Sequence, residues 1–416
     1  MSIQNPGSNR IALIASSLSI FVASYNIATI SVSLDDLKKY LNLGGVELTF
    51  LASAVLIGAV IGALFSGVLS DRFGRIGVLT LDLITFIVAG TLSSISTSYL
   101  ELMMFRALVG MGVGIDYVVV FAYIAEIHTM QRGRNSSMTL MMFFANFGIL
   151  IAYAIGALLL TDKSTGWRYV FLSGAIIAVP SIILRLKLSE SESWIKERLG
   201  STRRILGSFF SRKHRKKIFK YSVPWFLYQI GDQSLTLYLP FILVSYSLSS
   251  FSSGALGSVF VKLFTIPASF LTFIIINRVG KGFLQTLGFF VRSLFLAIVG
   301  IVFYFSIHIS GDLIIFILGT AFFFGALGPD KTTVMNPVDN YPTEIRATGQ
   351  GMNEAMGRIG GLVGVIGFGL FSILGAGYGM WFLSATCFAG FVFTAVFIGS
   401  KRENIVDGEK GVSHSQ

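Results

Sequence analysis

A short polar phrase interrupts this apolar chain twice. Asp71-Arg72-Phe73-Gly74-Arg75 closes the second long apolar segment, and Asn277-Arg278-Val279-Gly280-Lys281 returns 206 positions later, close to half of the 416 residues. Self-similarity at half length, in a chain made of long apolar runs, marks a duplicated bundle of membrane helices. Few other architectures produce it.

Composition agrees. With 53% hydrophobic residues, 13% charged residues and a mean hydropathy of +0.75, a water-soluble fold would have too little polar surface to cover itself. Cys387 is the one cysteine, which excludes an intramolecular disulfide and any thiolate metal cluster. His128, His214, His308 and His414 show no metal-ligand spacing, and no glycine-lysine phosphate loop is present, so no metal, ATP site or other cofactor is expected. A nucleophile, base and orienting group are likewise not recognisable, which argues against an enzyme. Arg10 precedes an apolar run of about 20 residues, spanning length rather than the shorter core of a signal peptide, and this run is read as the first helix.

Apolar runs bounded by charges or turn residues predict an all-α membrane protein of twelve helices, at 11–34, 47–70, 76–97, 100–127, 136–160, 168–187, 221–246, 252–276, 282–306, 312–338, 348–374 and 377–399. Two pseudo-symmetric six-helix bundles, 1–187 and 221–399, then flank a basic linker at 188–220, with a tail at 400–416. Gly328-Pro329 interrupts the tenth span. If both termini are cytoplasmic, that side holds 21 of the 32 Lys and Arg and the outer loops hold three, which sets the expected orientation of a multi-pass protein of the cell membrane. The linker carries ten Lys and Arg against three Glu and includes Arg212-Lys213-His214-Arg215-Lys216-Lys217. Beside a membrane such a run attracts anionic lipid and fixes topology, so lipid and not nucleic acid is the expected partner. A monomer is expected.

Several stretches carry a family resemblance. Gly67-Val68-Leu69-Ser70-Asp71-Arg72-Phe73-Gly74-Arg75 resembles the signature between helices 2 and 3 of the major facilitator superfamily. Arg106-Ala107-Leu108-Val109-Gly110 opens helix 4 in the same way. Glu190-Ser191-Glu192-Ser193-Trp194-Ile195 is similar to a phrase after helix 6 of sugar porters and their relatives, without its two prolines, and Tyr341-Pro342-Thr343-Glu344-Ile345-Arg346-Ala347-Thr348-Gly349 is similar to their loop before helix 11. The resemblance implies alternating access of a midplane cavity to each side of the membrane.

The turn signature has its own physical reading. Gly67 and Gly74 suit a tight reversal between closely packed helices, and Asp71, flanked by Arg72 and Arg75, can bridge to a neighbouring helix or its positive amino-terminal end. With Arg106 and the repeat's Arg278, Asp71, Arg72, Gly74 and Arg75 are the candidate gate. For the cations, topology control is the competing explanation.

Ionisable residues at membrane depth are functional candidates by default. Asp116, about 15 Å along the helix from Arg106, is suited to carry a proton, because an apolar site favours the neutral carboxyl. Asp116-Tyr117 resembles the proton-coupling Asp and substrate-contacting Tyr of phosphate:proton symporters, with Ile115 in place of a Gly. Gly328-Pro329-Asp330 resembles their helix 10 phrase, and Arg358 falls where they keep a Lys and organic-anion carriers keep an Arg. The phrase ending at Gln229, after Trp225, departs from them, since Asp is usual there, and Ser24-Tyr25-Asn26 replaces a helix 1 Asp. A Gln here, with Tyr238 nine residues on, is what sugar porters show.

Arg358, ten residues into its helix, carries a five-donor fork that matches carboxylate or phosphate, although Glu354 one turn earlier could simply pair with it. Gln229, Asp232 and Gln233 form a polar stripe that lines a cavity or pairs with Lys262. Asp330 and Lys331 can neutralise one another, and Asp35 and Asp36 are expected to be exposed. Asp82 and Arg292 receive no assignment. Substrate contacts are therefore expected from Tyr117, Trp225, Gln229, Gln233, Asp330 and Arg358, and proton coupling from Asp116. The expected function is proton-coupled symport of a small anion, organic acid or phosphate. Sugar or polyol transport is the alternative, and a non-transporting sensor on the same fold is a more distant one.

Overall fold

The computed structural model describes residues 6–127, 131–160, 165–188, 190, 212–245, 254–341 and 346–398, which are helical apart from short turns. The helices are α1 (Pro6–Tyr40), α2 (Gly45–Phe73), α3 (Arg75–Ile95), α4 (Tyr99–Ile127), α5 (Gln131–Leu159), α6 (Gly166–Arg185) and α7 (Arg212–Ser245) in the first part of the chain. The remainder are α8 (Gly254–Leu263), α9 (Thr265–Val279), α10 (Lys281–Tyr304), α11 (Gly311–Leu327), α12 (Pro329–Asn340), α13 (Arg346–Leu374) and α14 (Ala376–Phe393), the last widening into a π-turn at Thr394–Ile398. The linker at 191–211, the tail, the side chain of Asp71, Ser191–Ile195 and Pro342–Ile345 lie outside the described residues, as do His128, His414 and the side chain of His214.

Two expected spans are each made of two helices, and proline explains both breaks. Pro329 has no N–H for the carbonyl of Gly325, so α11 stops and α12 restarts at Gly328-Pro329, as the residues suggest. Pro267 similarly cannot serve Leu263, and the α8–α9 break falls at Phe264, which the apolar pattern hides. Freed carbonyls find new donors. Lys331 Nζ reaches Ala326 O at 2.5 Å, Thr272 Oγ1 reaches Leu327 O at 2.8 Å, and Thr265 Oγ1 reaches Lys262 O at 2.7 Å.

Eleven helical stretches among the described residues are long and apolar enough to cross a membrane. The other long helix, α7, is too polar to qualify, yet residues 228–240 are buried without exception. Its Gln229, Asp232, Gln233, Ser234 and Thr236 face protein, so the helix needs no lipid-compatible surface over that stretch.

Helix pairing repeats between halves. α1 packs on α5, α2 on α4 and α3 on α6; correspondingly α7 packs on α13, α8 and α9 on α11, and α10 on α14. Missing Cβ atoms set the α2–α4 spacing. A Cβ at Gly58 would fall 1.8 Å from Ala107 O, at Gly62 2.1 Å from Met111 O, at Gly110 1.9 Å from Val55 O and at Gly114 2.1 Å from Ala59 O. These reciprocal small-xxx-small pairs let backbones touch where dispersion, and not the hydrophobic effect, must hold helices together. Gly67 differs from expectation, since its Cβ position meets nothing within 4 Å and it lies inside α2 rather than in the turn. The reversal falls on Gly74, at φ +92°, and its repeat Gly280, at φ +90°.

First-half and second-half helices meet at both ends. On the face bearing Gly74, Arg134 of α5 pairs with Asp339 of α12, and Asn135 Nδ2 donates to Asn277 Oδ1 at 3.2 Å. On the opposite face Ser31 Oγ and Tyr153 OH donate to Thr236 O at 2.8 and 2.6 Å, and Tyr238 OH to Thr49 Oγ1 at 3.3 Å. The packing generates a prediction. Gly62→Val should destabilise by about 1–3 kcal/mol through overpacking, lowering the thermal aggregation midpoint in detergent, whereas Gly67→Ala should leave it unchanged. Equal midpoints would refute the close α2–α4 approach.

Candidate functional site

Consecutive residues on α4 project about 100° apart; Asp116 and Tyr117 both bond α1, and Tyr117 also reaches the second half. Asp116 is fully buried and accepts a hydrogen bond from Ser19 Oγ of α1. Tyr117 has its hydroxyl 2.7 Å from Ser24 Oγ and its ring 4.4 Å from the guanidinium carbon of Arg358 on α13. This cation–π contact joins the halves. Arg358 is 1% exposed, and its nearest carboxylate, Glu354, stands 4.0 Å away, too far for a hydrogen bond. Nε and Nη2 of Arg358 have no hydrogen-bond partner among the described residues, and neither Glu354 oxygen makes a well-formed one.

A glycine seam on α13 presses α7 against this centre. Cβ atoms would fall 2.2 Å from the Trp225 indole nitrogen at Gly357, 2.3 Å from Phe226 O at Gly360 and 2.2 Å from Ile230 O at Gly364. Trp225 is thereby held beside the turn of α13 that carries Glu354 and Arg358, its indole N–H close to the Glu354 carboxylate without a well-formed hydrogen bond. Gln233 Nε2 donates to Gln229 Oε1 at 3.2 Å, one turn along α7, with Gln233 packed against Gly361.

A connected ion cluster occupies the second half. Asp330 accepts from Lys331 at 3.0 Å and from Asn146 of α5 at 2.9 Å, and Asn146 Oδ1 takes Lys262 Nζ at 3.3 Å. Asp232 pairs with Arg292 at 3.1 Å and accepts from Tyr228 at 3.0 Å. Arg292 supplies the direct salt bridge that sequence reasoning offered to Lys262. At the centre of the second half, Lys262, Arg292, Lys331 and Arg358 thus stand against Asp232, Asp330 and Glu354, while the fifth buried cation among the described residues there, Lys281, is paired with Asp339. A recess of about 460 Å³ lies elsewhere, near Lys38, Phe50, Tyr238 and Phe368, and contains none of these charges.

The turn cluster is built from Arg75, whose Nη1 donates to Ser70 Oγ at 2.6 Å and whose Nη2 meets Glu126 of α4 at 3.2 Å. Glu190 accepts from Ile76 N at 3.0 Å, a carboxylate at the amino terminus of α3 where the helix dipole favours it. In the repeat, Lys281 pairs with Asp339, the residue that also holds Arg134. Arg72 and Arg278 are exposed, Arg72 lying 5.4 Å from the Phe73 ring centroid. Arg106 is in another place, donating to Asn26 O at 2.5 Å and Thr29 Oγ1 at 3.2 Å, twenty residues or about 30 Å along α4 from Glu126. Glu126, Asp339 and Asn146 were not singled out from sequence; the first two sit near helix ends opposite the two repeated turns, and that placement was the available signal.

The sequence profile described as Major Facilitator Superfamily matches residues 16–364. The chain belongs to the major facilitator superfamily. It is 25% identical to the probable inorganic phosphate transporter 1-8 of Arabidopsis thaliana, over 86% of this chain and 80% of that one. It is 24% identical to the cis,cis-muconate transport protein of Acinetobacter baylyi, over 94% and 95% of the two chains. The partially occluded inward open xylose transporter XylE from E. coli matches with a TM-score of 0.79 at 19% identity, covering 94% of this chain and 98% of that one, a likeness of fold alone. This member of the superfamily is a transporter, not an enzyme.

In such a superfamily transporter Asp339 ties α5, α10 and α12 together on the Gly74 face. Asp339→Asn should remove both ion pairs, and a loss of about 1–2 kcal/mol changes a two-state ratio by roughly 5- to 30-fold. Cys387 is buried, so a Cys387→Ala background carrying Ala355→Cys, a position now packed on Ala63 and Val118, provides the probe. Thiol labelling of that probe should accelerate in Asp339→Asn; an unchanged rate would remove Asp339 from the closure.

Proposed function

We propose that this protein is a proton-coupled symporter of a small anion, an organic acid or phosphate, working by alternating access of two pseudo-symmetric six-helix bundles in the cell membrane with both termini cytoplasmic. One observation carries the anion: the enclosed Arg358 guanidinium, whose Nε and Nη2 are unpartnered. A planar fork with free N–H groups is suited to a carboxylate or phosphate oxygen pair. The central cluster, with four cations against three carboxylates, supports the same reading, and so do relatives named for phosphate and muconate transport.

In this reading Tyr117 and Trp225 flank the substrate, Gln229, Gln233 and Asp330 supply further polar contacts, and Asp116 carries the proton. Arg75 and its neighbours Ser70, Glu126 and Glu190, with Asp71 and Gly74, form the cytoplasmic gate, answered in the repeat by Lys281 and Asp339. Glu354 balances Arg358 while the cavity is empty. A sugar or polyol remains the second reading, favoured by the Gln229–Gln233 amide pair, which suits hydroxyl groups.

Proteoliposome uptake of phosphate, aromatic acids, sugar acids and neutral sugars, with and without an inward proton gradient, tests the proposal. Arg358→Gln should cost an anion about 3–5 kcal/mol, roughly two to four orders of magnitude in affinity, and Arg358→Lys somewhat less because charge remains but the fork is lost. A neutral sugar would lose one hydrogen bond of about 0.5–1.5 kcal/mol, tenfold at most. Uptake of neutral sugars by the wild type, together with such a small loss, would overturn the anion reading.

Removing the titratable group is expected to act differently. Asp116→Asn should abolish uphill accumulation driven by pH while sparing exchange of labelled for unlabelled substrate, which needs no net proton movement. Accumulation driven by pH alone in that variant would exclude Asp116.

A further inference from the structure

Asp82, on α3, is fully buried and plays no part in the machinery described so far. Neither of its oxygens has a well-formed hydrogen bond among the described residues, although the Leu83 backbone N–H lies near, and Oδ2 of Asp116 has none either. The two carboxyl groups lie against one another, within reach of a hydrogen bond that closes only when one of them carries a proton. Helix packing enforces the approach: a Cβ at Gly112, one turn before Asp116, would stand 3.2 Å from the carbonyl of Asp82 and 2.9 Å from the Phe86 ring. Arg185, at the end of α6, completes the group. It is fully buried, all three guanidinium nitrogens lack a hydrogen-bond partner among the described residues, and its charge acts on both aspartates.

We propose that Asp82 and Asp116 hold the transported proton jointly, as a carboxyl–carboxylate pair with Arg185 as counter-ion. The inference rests on Asp116 as the coupling site and adds Asp82 and Arg185 to it.

Charge balance gives the pair a link to substrate. Arg185 is the cation nearest in effect to both carboxyl groups, and Arg358, which Glu354 balances while the cavity is empty, adds its field at Asp116. When a bound monoanion occupies Arg358, that support is withdrawn, and taking up one proton offsets the added negative charge in a site where an unmatched charge is costly. The proton enters as the anion binds and leaves as it departs; one O–H bond forms on the pair and the same bond breaks on release. The pair is also placed for release toward the Gly74 face. Arg75 and Glu126 pair α3 with α4 at that end, Asp82 is seven residues from Arg75 and Asp116 ten from Glu126, so Asp82 lies about 5 Å nearer. The groups facing the pair are Ser19 of α1, Arg185 of α6 and Arg358 of α13; Tyr123 of α4 faces Arg185, with Glu126 and Glu190 beyond it.

Infrared difference spectroscopy of the full-length protein in lipid, titrated with acid, tests this without knowledge of the substrate. Wild type should show one protonated-carboxyl C=O band near neutral pH that both Asp82→Asn and Asp116→Asn abolish at that pH, the remaining carboxyl taking its proton only in stronger acid, each variant being checked for a monodisperse, membrane-inserted protein. Arg185→Gln, which keeps both aspartates, should increase that band at neutral pH by at least twofold, and it serves as the readout if Asp82→Asn fails to fold. A band lost in Asp116→Asn but kept in Asp82→Asn would overturn the sharing while leaving Asp116 as the coupling site. A band kept in Asp116→Asn would overturn both, and an unchanged band in Arg185→Gln would remove the counter-ion.

Discussion

A charge placed at membrane depth has to be answered by another group within a few ångströms, because lipid offers it nothing. The interior of this transporter is organised by that requirement. Asp232 is answered by Arg292 and Tyr228, Asp330 by Lys331 and Asn146, and Arg106 by the carbonyl of Asn26 and the hydroxyl of Thr29. Arg358 has a different setting, although Arg106 and Arg185 also keep unbonded guanidinium nitrogens. Its contacts are an aromatic face and a carboxylate at 4.0 Å, with two nitrogens unbonded. The least satisfied buried cation beside the contact between halves is the natural place for an anion to complete the set.

Such answers exist only because helices approach closely. Glycines of α2 and α4 bring those two helices together around Asp116 and Tyr117, and the glycine seam of α13 seats α7 with Trp225 against Gly357 and Gln233 against Gly361, on either side of Arg358 in the chain. The polar character of α7 follows from the same packing, since a helix enclosed by protein is free to carry amides and a carboxylate that lipid would reject. Proline breaks at Gly328 and Phe264 release carbonyls into this interior, where Lys331 and Thr residues take them up. Packing and electrostatics are thus one design.

Much of this was legible in the residues. Long apolar runs announce the helices, Gly328-Pro329 announces its break, and lone charges such as Asp116 and Arg358 stand out against an apolar background. Partners were harder to read, because Asp232 and Arg292 are 60 positions apart and Arg75 and Glu126 are 51, and only tertiary packing joins them. Asp82 looked unremarkable because nothing local marks the approach of α4 and α6. Gly67 misled for a related reason: a glycine beside a turn suggests close contact, and only the fold shows that it faces open space. The break at Phe264 was masked by uninterrupted apolar character.

Coupled movement of proton and anion is the central claim, and direct detection of the proton tests it most sharply. Proteoliposomes in lightly buffered medium, with no imposed gradient, would receive phosphate or benzoate while external pH and internal label are recorded together. The account predicts that the transported anion enters with alkalinisation of the medium, and that an uncoupler collapses this signal. Entry of the label with no change in external pH would contradict it.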